Sequence, residues 1–181
     1  MNTETSIKTT WALDPSHSEI QFKVKHLMIT TVTGHFGVFE GTAETEDGDF
    51  STAKISFKAK TESIKTNSEQ RDGHLKSEDF FASEKYPWLT FENGRLEKKG
   101  ENEFELKGEM TIRDVTKTVT LKAELGGIEK DPWGNEKAGF SIDGKINRKD
   151  FGLTWNTVTE SGGLLVSEDV RILAEVQLVK A

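Results

Sequence analysis

Through most of this chain apolar and polar residues alternate one for one. Ile20, Phe22 and Val24 alternate with Gln21, Lys23 and Lys25, the period-2 pattern of a strand with one buried face. The same parity carries Ile55, Phe57 and Ala59, then Leu89 and Phe91 in a strand over Trp88–Leu96. It continues through Phe104, Leu106, Gly108, Met110 and Ile112, and through Val119, Leu121, Ala123 and Leu125. Ala138, Phe140, Ile142, Gly144 and Ile146 form the next set, and Val170, Ile172, Ala174, Val176 and Leu178 the last. Trp11–Leu13 reads as a short first strand ending at Asp14-Pro15. Asp47-Gly48 is a hairpin turn signal, with Asp47 and Asp49 on a solvated turn. Lys99-Gly100 and Asp114–Lys117 mark further turns, and Gly126-Gly127 with Asp131–Gly134 a longer connection. Glycines 34, 37 and 41 among aromatics predict a bulge, a bend or close backbone approach. About eight strands joined mostly by hairpins predict an all-β fold, an extended antiparallel barrel or a sandwich.

One stretch breaks the alternation. From Thr66 to Glu78 the only large apolar residue is Leu75. A capping box from Thr66 to Glu69, or from Asn67 to Gln70, predicts a short helix between strands near residues 67–78. So polar a helix lies on a surface or across an opening. Helical phase puts Arg71, His74 and Leu75 on one side and pairs Asp72 with Lys76 on another. Phe80-Phe81 follows, and Tyr86-Pro87 forces the chain straight again.

The inward positions mix large side chains with Ala59, Gly108, Ala123, Ala138, Gly144 and Ala174. Small residues on the inner wall leave room, and a barrel of about eight strands is just wide enough for one small ligand. The 181 residues suit one domain, with 1–9 as a flexible polar tail and 10–181 as a barrel. Phe outnumbers Tyr 11 to 1, as in a dry interior that offers hydroxyls no partner. The net charge of −7 without a basic stripe argues against nucleic acid and against anionic membrane surfaces as main partners. No run approaches the roughly 18 apolar residues of a membrane-spanning helix, so the protein is not expected to be an integral membrane protein. The polar start has no signal-peptide pattern, which implies the cytoplasm as given, or the periplasm if the chain is a trimmed mature form. With no cysteine, disulfide and thiolate chemistry are excluded.

Candidate chemistry centres on Arg71, Asp72 and His74. His74 with Asp72 has the makings of a general base, but no Gly-x-Ser-x-Gly elbow accompanies it. The same three residues suit charged hydrogen bonds that pin the helix, or a lipid headgroup at the barrel mouth. His17, His26, His35 and His74 show no metal-binding spacing, although a turn between His26 and His35 could bring those two together. No metal or cofactor is expected. Arg148 and Asp150 suit a corner where they satisfy backbone or each other, with Phe151 closing the barrel. Trp155 fits either a mouth or a core cap.

These residues carry a family resemblance. His17–Phe22 with Lys25–Met28, Gly34–Phe36 with Phe39–Gly41, Arg71–Phe81 with Tyr86-Pro87 and Phe91, Met110–Lys117, and Asn147–Leu153 resemble the YceI-like, polyisoprenoid-binding, lipocalin-like barrel proteins. The likeness runs from Trp11 to Lys180. It implies a barrel with a long apolar tunnel that binds, sequesters or carries an isoprenoid (a polyprenol or quinone tail) or a similar lipid. Many members are exported to the periplasm. The expected lining is Phe22, Val24, Phe57, Phe80, Phe81, Phe91, Met110, Ile112, Phe140, Ile142 and Ile172. Two alternatives stand beside a non-catalytic lipid carrier: a lipid-processing enzyme using His74 and Asp72, and a ligand-free, stress-related structural protein. Exposed strand edges or tunnel mouths would also allow a homodimer.

Overall fold

A computed structural model of the protein describes residues 6–157, 160 and 163–181. The strands are β1 (Lys8–Leu13), β2 (Glu19–His26), β3 (Thr30–Phe36), β4 (Phe39–Glu46), β5 (Asp49–Lys60), β6 (Ile64–Lys65), β7 (Trp88–Lys98), β8 (Glu103–Ile112), β9 (Val115–Lys130), β10 (Glu136–Asn147) and β11 (Val166–Lys180). One helix, α1 (Glu69–Lys76), lies between β6 and β7. Residues 1–5 of the expected tail lie outside the described residues. Pairing begins earlier than the pattern suggests: Lys8 and Thr9 already face Glu46 and Thr45.

Eight strands close a ring in the order β1-β4-β5-β7-β8-β9-β10-β11, with β11 returning to β1, and every pairing is antiparallel. The other three strands extend the wall. The final strand β11 pairs with β1 near its end (Leu178 opposite Leu13) and with β2 further back (Ala174 opposite Ile20). Thus β1 and β2 are one line of wall, interrupted by the turn Pro15–His17. β3 and β4 form a second line, bent at Gly37-Val38, and β5 continues into β6 through Thr61–Ser63. The bend is fixed by backbone: Gly37 N–H donates to Ser63 O at 3.1 Å and Lys60 N–H to Val38 O at 2.9 Å. The glycine-rich segment therefore makes a corner between two strands.

Other departures from simple alternation have local causes. Gly126-Gly127 is no connection. It lies within β9, where Gly139 faces Gly127 and Phe140 faces Leu125, leaving Gly126 as a bulge. Asn93, at φ 56°, makes a comparable extra residue in β7. That bulge resets the parity, so Phe91 and Leu96 both face inward. His26 and His35 are not brought together: they face Thr30 and Gln21 at opposite ends of the β2–β3 hairpin. The helix is capped by Ser68, which accepts from Arg71 N–H, two residues later than the Thr66 box implies and one later than the Asn67 box. Lys76 meets Glu62, not Asp72.

The end carrying the β4–β5, β7–β8 and β9–β10 turns is filled. Trp11, Phe50, Phe140 and Phe104 stack in succession at centroid spacings of 5.3, 5.0 and 6.3 Å, in the tilted and edge-on arrangements aromatic rings favour. Trp11 Nε1–H donates to the Thr45 hydroxyl at 3.2 Å. At the opposite end Arg148 opens the turn Arg148–Phe151 and is only 3% exposed. Its guanidinium donates to the carbonyls of Leu153 (2.6 Å), Trp155 (2.8 Å), Ser167 (2.8 Å) and Val166 (3.3 Å). Backbone dipoles thus solvate a buried cation and tie residues 153–155 to the start of β11. Burial pulls the Arg148 pKa below its ordinary value, and the charge of Glu168 works against that shift.

Not all the small inward residues leave space. The ring of Phe91 lies on Gly108, so close that a Cβ there would stand 2.4 Å from it, and Leu121 lies on Gly144 in the same way. Gly108→Ala is therefore expected to lower stability by about 1–3 kcal/mol, the usual cost of overpacking, measured by urea denaturation. Gly73→Ala on the exposed face of α1, where nothing lies within 4 Å of a new Cβ, should raise stability by about 0.5–1 kcal/mol in the same assay. Arg148→Met takes this donor from the carbonyls of Leu153, Trp155 and Ser167, while Val166 O keeps Asn156 Nδ2–H at 2.7 Å, and a loss of about 3 kcal/mol or more is expected, with Arg148→Lys recovering only part of it.

Candidate functional site

The ring encloses a cavity of about 400 Å³, within the size range of small-molecule pockets. Its wall is overwhelmingly apolar because the inward parity of each strand is apolar. All eleven residues expected from the sequence stand on it: Phe22 and Val24 from β2, Phe57 from β5, Phe91 from β7, Met110 and Ile112 from β8, Phe140 and Ile142 from β10, Ile172 from β11, and Phe80 and Phe81 from the segment after α1. Ala59, Ala123 and Ala174 also line it. Gly108 and Gly144, covered by Phe91 and Leu121, do not. Phe50 and Phe140 link the lining to the aromatic stack beyond.

The other end is crossed by α1 and residues 77–87, which carry the chain from β6 to β7. The charged lining residues gather on this side: Lys25, Arg71, His74 and Arg148. Arg71 and Asp72 pin the helix to its own approach. Arg71 Nε–H donates to the Thr66 hydroxyl at 2.8 Å and its Nη2 donates to Thr66 O at 2.5 Å. Asp72 Oδ1 accepts from Thr66 N–H at 2.8 Å and from the Thr66 hydroxyl at 2.6 Å. Thr66 is buried, so these bonds fill its hydrogen-bonding capacity where water cannot. His74 does not meet Asp72. Its Nε2 lies 2.8 Å from Asp79 Oδ2, and Ser77 donates its hydroxyl to His74 O.

The imidazole of His74 is half of an aromatic corner. It stands edge-on to Trp155 at 4.6 Å and to Phe80 at 5.1 Å, and those two rings lie 5.5 Å apart. Phe81 packs edge-on against Phe36 at 5.9 Å, with its N–H bonded to Leu75 O. Trp155 therefore lines the mouth. Sequence reasoning passed over several other lining residues, among them Phe36, Leu153, Leu165 and Val166. Phe36 carried a signal in its parity with Gly34. Val166 opens β11 beyond its regular register with β2, Leu165 is held by the Leu27 N–H, and Leu153 is brought in by its bond to Arg148.

Comparison with known proteins bears on this geometry. A family model described as a YceI-like domain matches residues 11–178. The UPF0312 protein SA2479 of Staphylococcus aureus is 35% identical over 170 residues, covering 93% of this chain and 96% of that protein. The crystal structure of a Campylobacter jejuni YCEI protein superposes with a TM-score of 0.74 at 34% identity, covering 86% of this chain and 88% of that one. Burkholderia cenocepacia BcnA shares the fold at a TM-score of 0.79 and 18% identity, covering 91% and 98%. A polyisoprenoid binding domain from Saccharophagus degradans shares it at 0.68 and 12% identity, covering 94% and 98%. By the match over almost its whole length, this chain belongs to the family of YceI-like domains.

Proposed function

We propose that this protein binds and carries a long-chain isoprenoid or a similar lipid inside the barrel. The observation that carries the reading is the cavity of about 400 Å³ inside the barrel, with its apolar wall. Each buried methylene contributes about 0.8 kcal/mol, so each five-carbon unit of a prenyl chain offers several kcal/mol before ordering costs. A few units in a dry space bind tightly without polar machinery. Membership in the YceI-like family and the shared fold of the polyisoprenoid binding domain from Saccharophagus degradans support the same reading.

The polar residues at the mouth suit holding better than chemistry. Asp72 is turned to Thr66 and away from His74, so the His74–Asp72 pair is not assembled, and His74 meets Asp79 at the surface instead. A hydrophobic wall discriminates weakly between chains that differ by one methylene. Selectivity then falls to the length of the space, between the Phe50–Phe140 contact and the Phe80–Phe81 side.

Lipid extraction and native mass spectrometry of protein purified from several hosts should give a co-purifying hydrophobic molecule, or uptake of an added prenol. Finding neither would defeat the proposal. Phe80→Leu and Phe81→Leu, which remove ring volume with little loss of burial, should change the mass distribution of the bound lipid. Arg71→Ala should lower stability by about 1–3 kcal/mol by orphaning Thr66 while leaving that distribution in place. Identical lipid profiles in the parent and both Phe variants would show that this pair does not set selectivity.

A further inference from the structure

The β2–β3 hairpin turns through His26-Leu27-Met28-Ile29, closed by Ile29 N–H donating to His26 O at 3.1 Å. Leu27 and Met28 both have left-handed backbones, at φ 53° and 59°. This is the turn geometry that favours Asn-Gly or Asp-Gly, and the β4–β5 hairpin of the same chain meets it with Asp47-Gly48, at φ 54° and 72°. Here two bulky apolar residues hold the strained positions instead. They also stand in solvent: Leu27 is 38% exposed, Met28 59% and Ile29 75%. Neither packing nor turn chemistry accounts for them. A contact outside the molecule would.

Charge indicates what makes that contact. The protein carries a net −7, yet the stretch from Ile20 to Phe39 holds no Asp or Glu. Lys23 and Lys25 of β2 make no ion pair among the described residues, whereas Lys65 of β6 faces His35 at the end of the hairpin away from the tip. On the adjacent β11, Glu168 is neutralised by Lys149 at 2.8 Å and Asp169 by Lys145 at 3.4 Å. An apolar tip thus projects from a pair of strands with lysines near it and one carboxylate, Glu19, at the far end, on an otherwise acidic molecule. That arrangement complements an anionic bilayer, with apolar side chains below the headgroups and ammonium groups among them. The acidic total is no obstacle, because screening limits the reach of the distant carboxylates to about 8–10 Å.

The tip also stands at the cavity's mouth. Leu27 N–H donates to Leu165 O at 2.8 Å, and Leu165, Val24, His26 and Val32 line the cavity. We propose that the Leu27-Met28-Ile29 tip and the lysines behind it dock this end of the barrel on an anionic phospholipid bilayer. The docking rests on the outer surface and holds whether or not the cavity takes an isoprenoid.

Flotation with phosphatidylcholine vesicles, with and without phosphatidylglycerol, tests this on the full chain. The parent should float with the anionic vesicles and much less with the neutral ones. Leu27→Asn combined with Met28→Gly supplies the residues the turn favours. That variant should melt at a higher temperature than the parent, yet partition to anionic vesicles about tenfold less or weaker. Lys23→Glu, at a residue off the cavity lining, should also reduce the anionic preference. The proposal is overturned if the parent does not float, or if the turn variant floats as the parent does. It is also overturned if light scattering shows a dimer that the turn variant breaks while vesicle binding is absent. Lipid extracted from the same variants reads the cavity separately: a loaded barrel that fails to float sinks the docking and leaves the cavity reading intact.

Discussion

The structure depends on a closed wall with an apolar inner face. Closure by the return of β11 to β1 pairs strand edges that an open sheet would expose. The same closure commits every inward side chain to one shared space, and here the side chains do not fill it. Lining atoms with nothing against them forfeit the contacts that a filled interior would make. Water is a poor filler for such a wall, since it needs two or more polar partners. An apolar ligand restores those contacts, so in the proposed reading ligand binding and fold stability are linked.

The wall was legible in the sequence because a half-buried strand writes its inner face at every second residue. The set Phe104, Leu106, Met110 and Ile112 needed nothing further. What alternation does not record is where a line of wall is interrupted. The ring has eight strands, as the alternation suggests, yet β1 and β2 share one line, as do β3 and β4. Asp14-Pro15 and the glycines marked the breaks at Pro15–His17 and Gly37-Val38, but no local pattern encodes that the strands on either side share one line of wall. Bulges were hidden for a similar reason. Gly126 read as part of a connection and Asn93 as an ordinary residue of the strand Trp88–Leu96, but tertiary pairing makes each a bulge inside a long strand.

The mouth was legible only in part. The polar helix and the apolar pair after it announced themselves by breaking the alternation. Their partners did not. Arg71 and Asp72 converge on Thr66, a short-range arrangement the helical phase alone could not distinguish from a catalytic pair. Arg148 satisfies backbone at a corner as the sequence suggests, but its burial is not legible there. A charged side chain in a turn normally lies in water, and its burial depends on four carbonyls from two segments that are separated in sequence.

Glycine–aromatic contacts decide how much of the interior becomes cavity and how much becomes core. Gly108 and Gly94 both lie against the ring of Phe91, while Gly34 lies against that of Phe22. Each glycine lets a large ring settle close to the wall, where it is held by backbone on one side. The ring's other face is then free to line the cavity, as both Phe22 and Phe91 do. A Cβ at any of these positions would push the ring inward and shrink the space. The glycines in the wall therefore shape the cavity even where they do not touch it: they set the depth at which its aromatic lining stands.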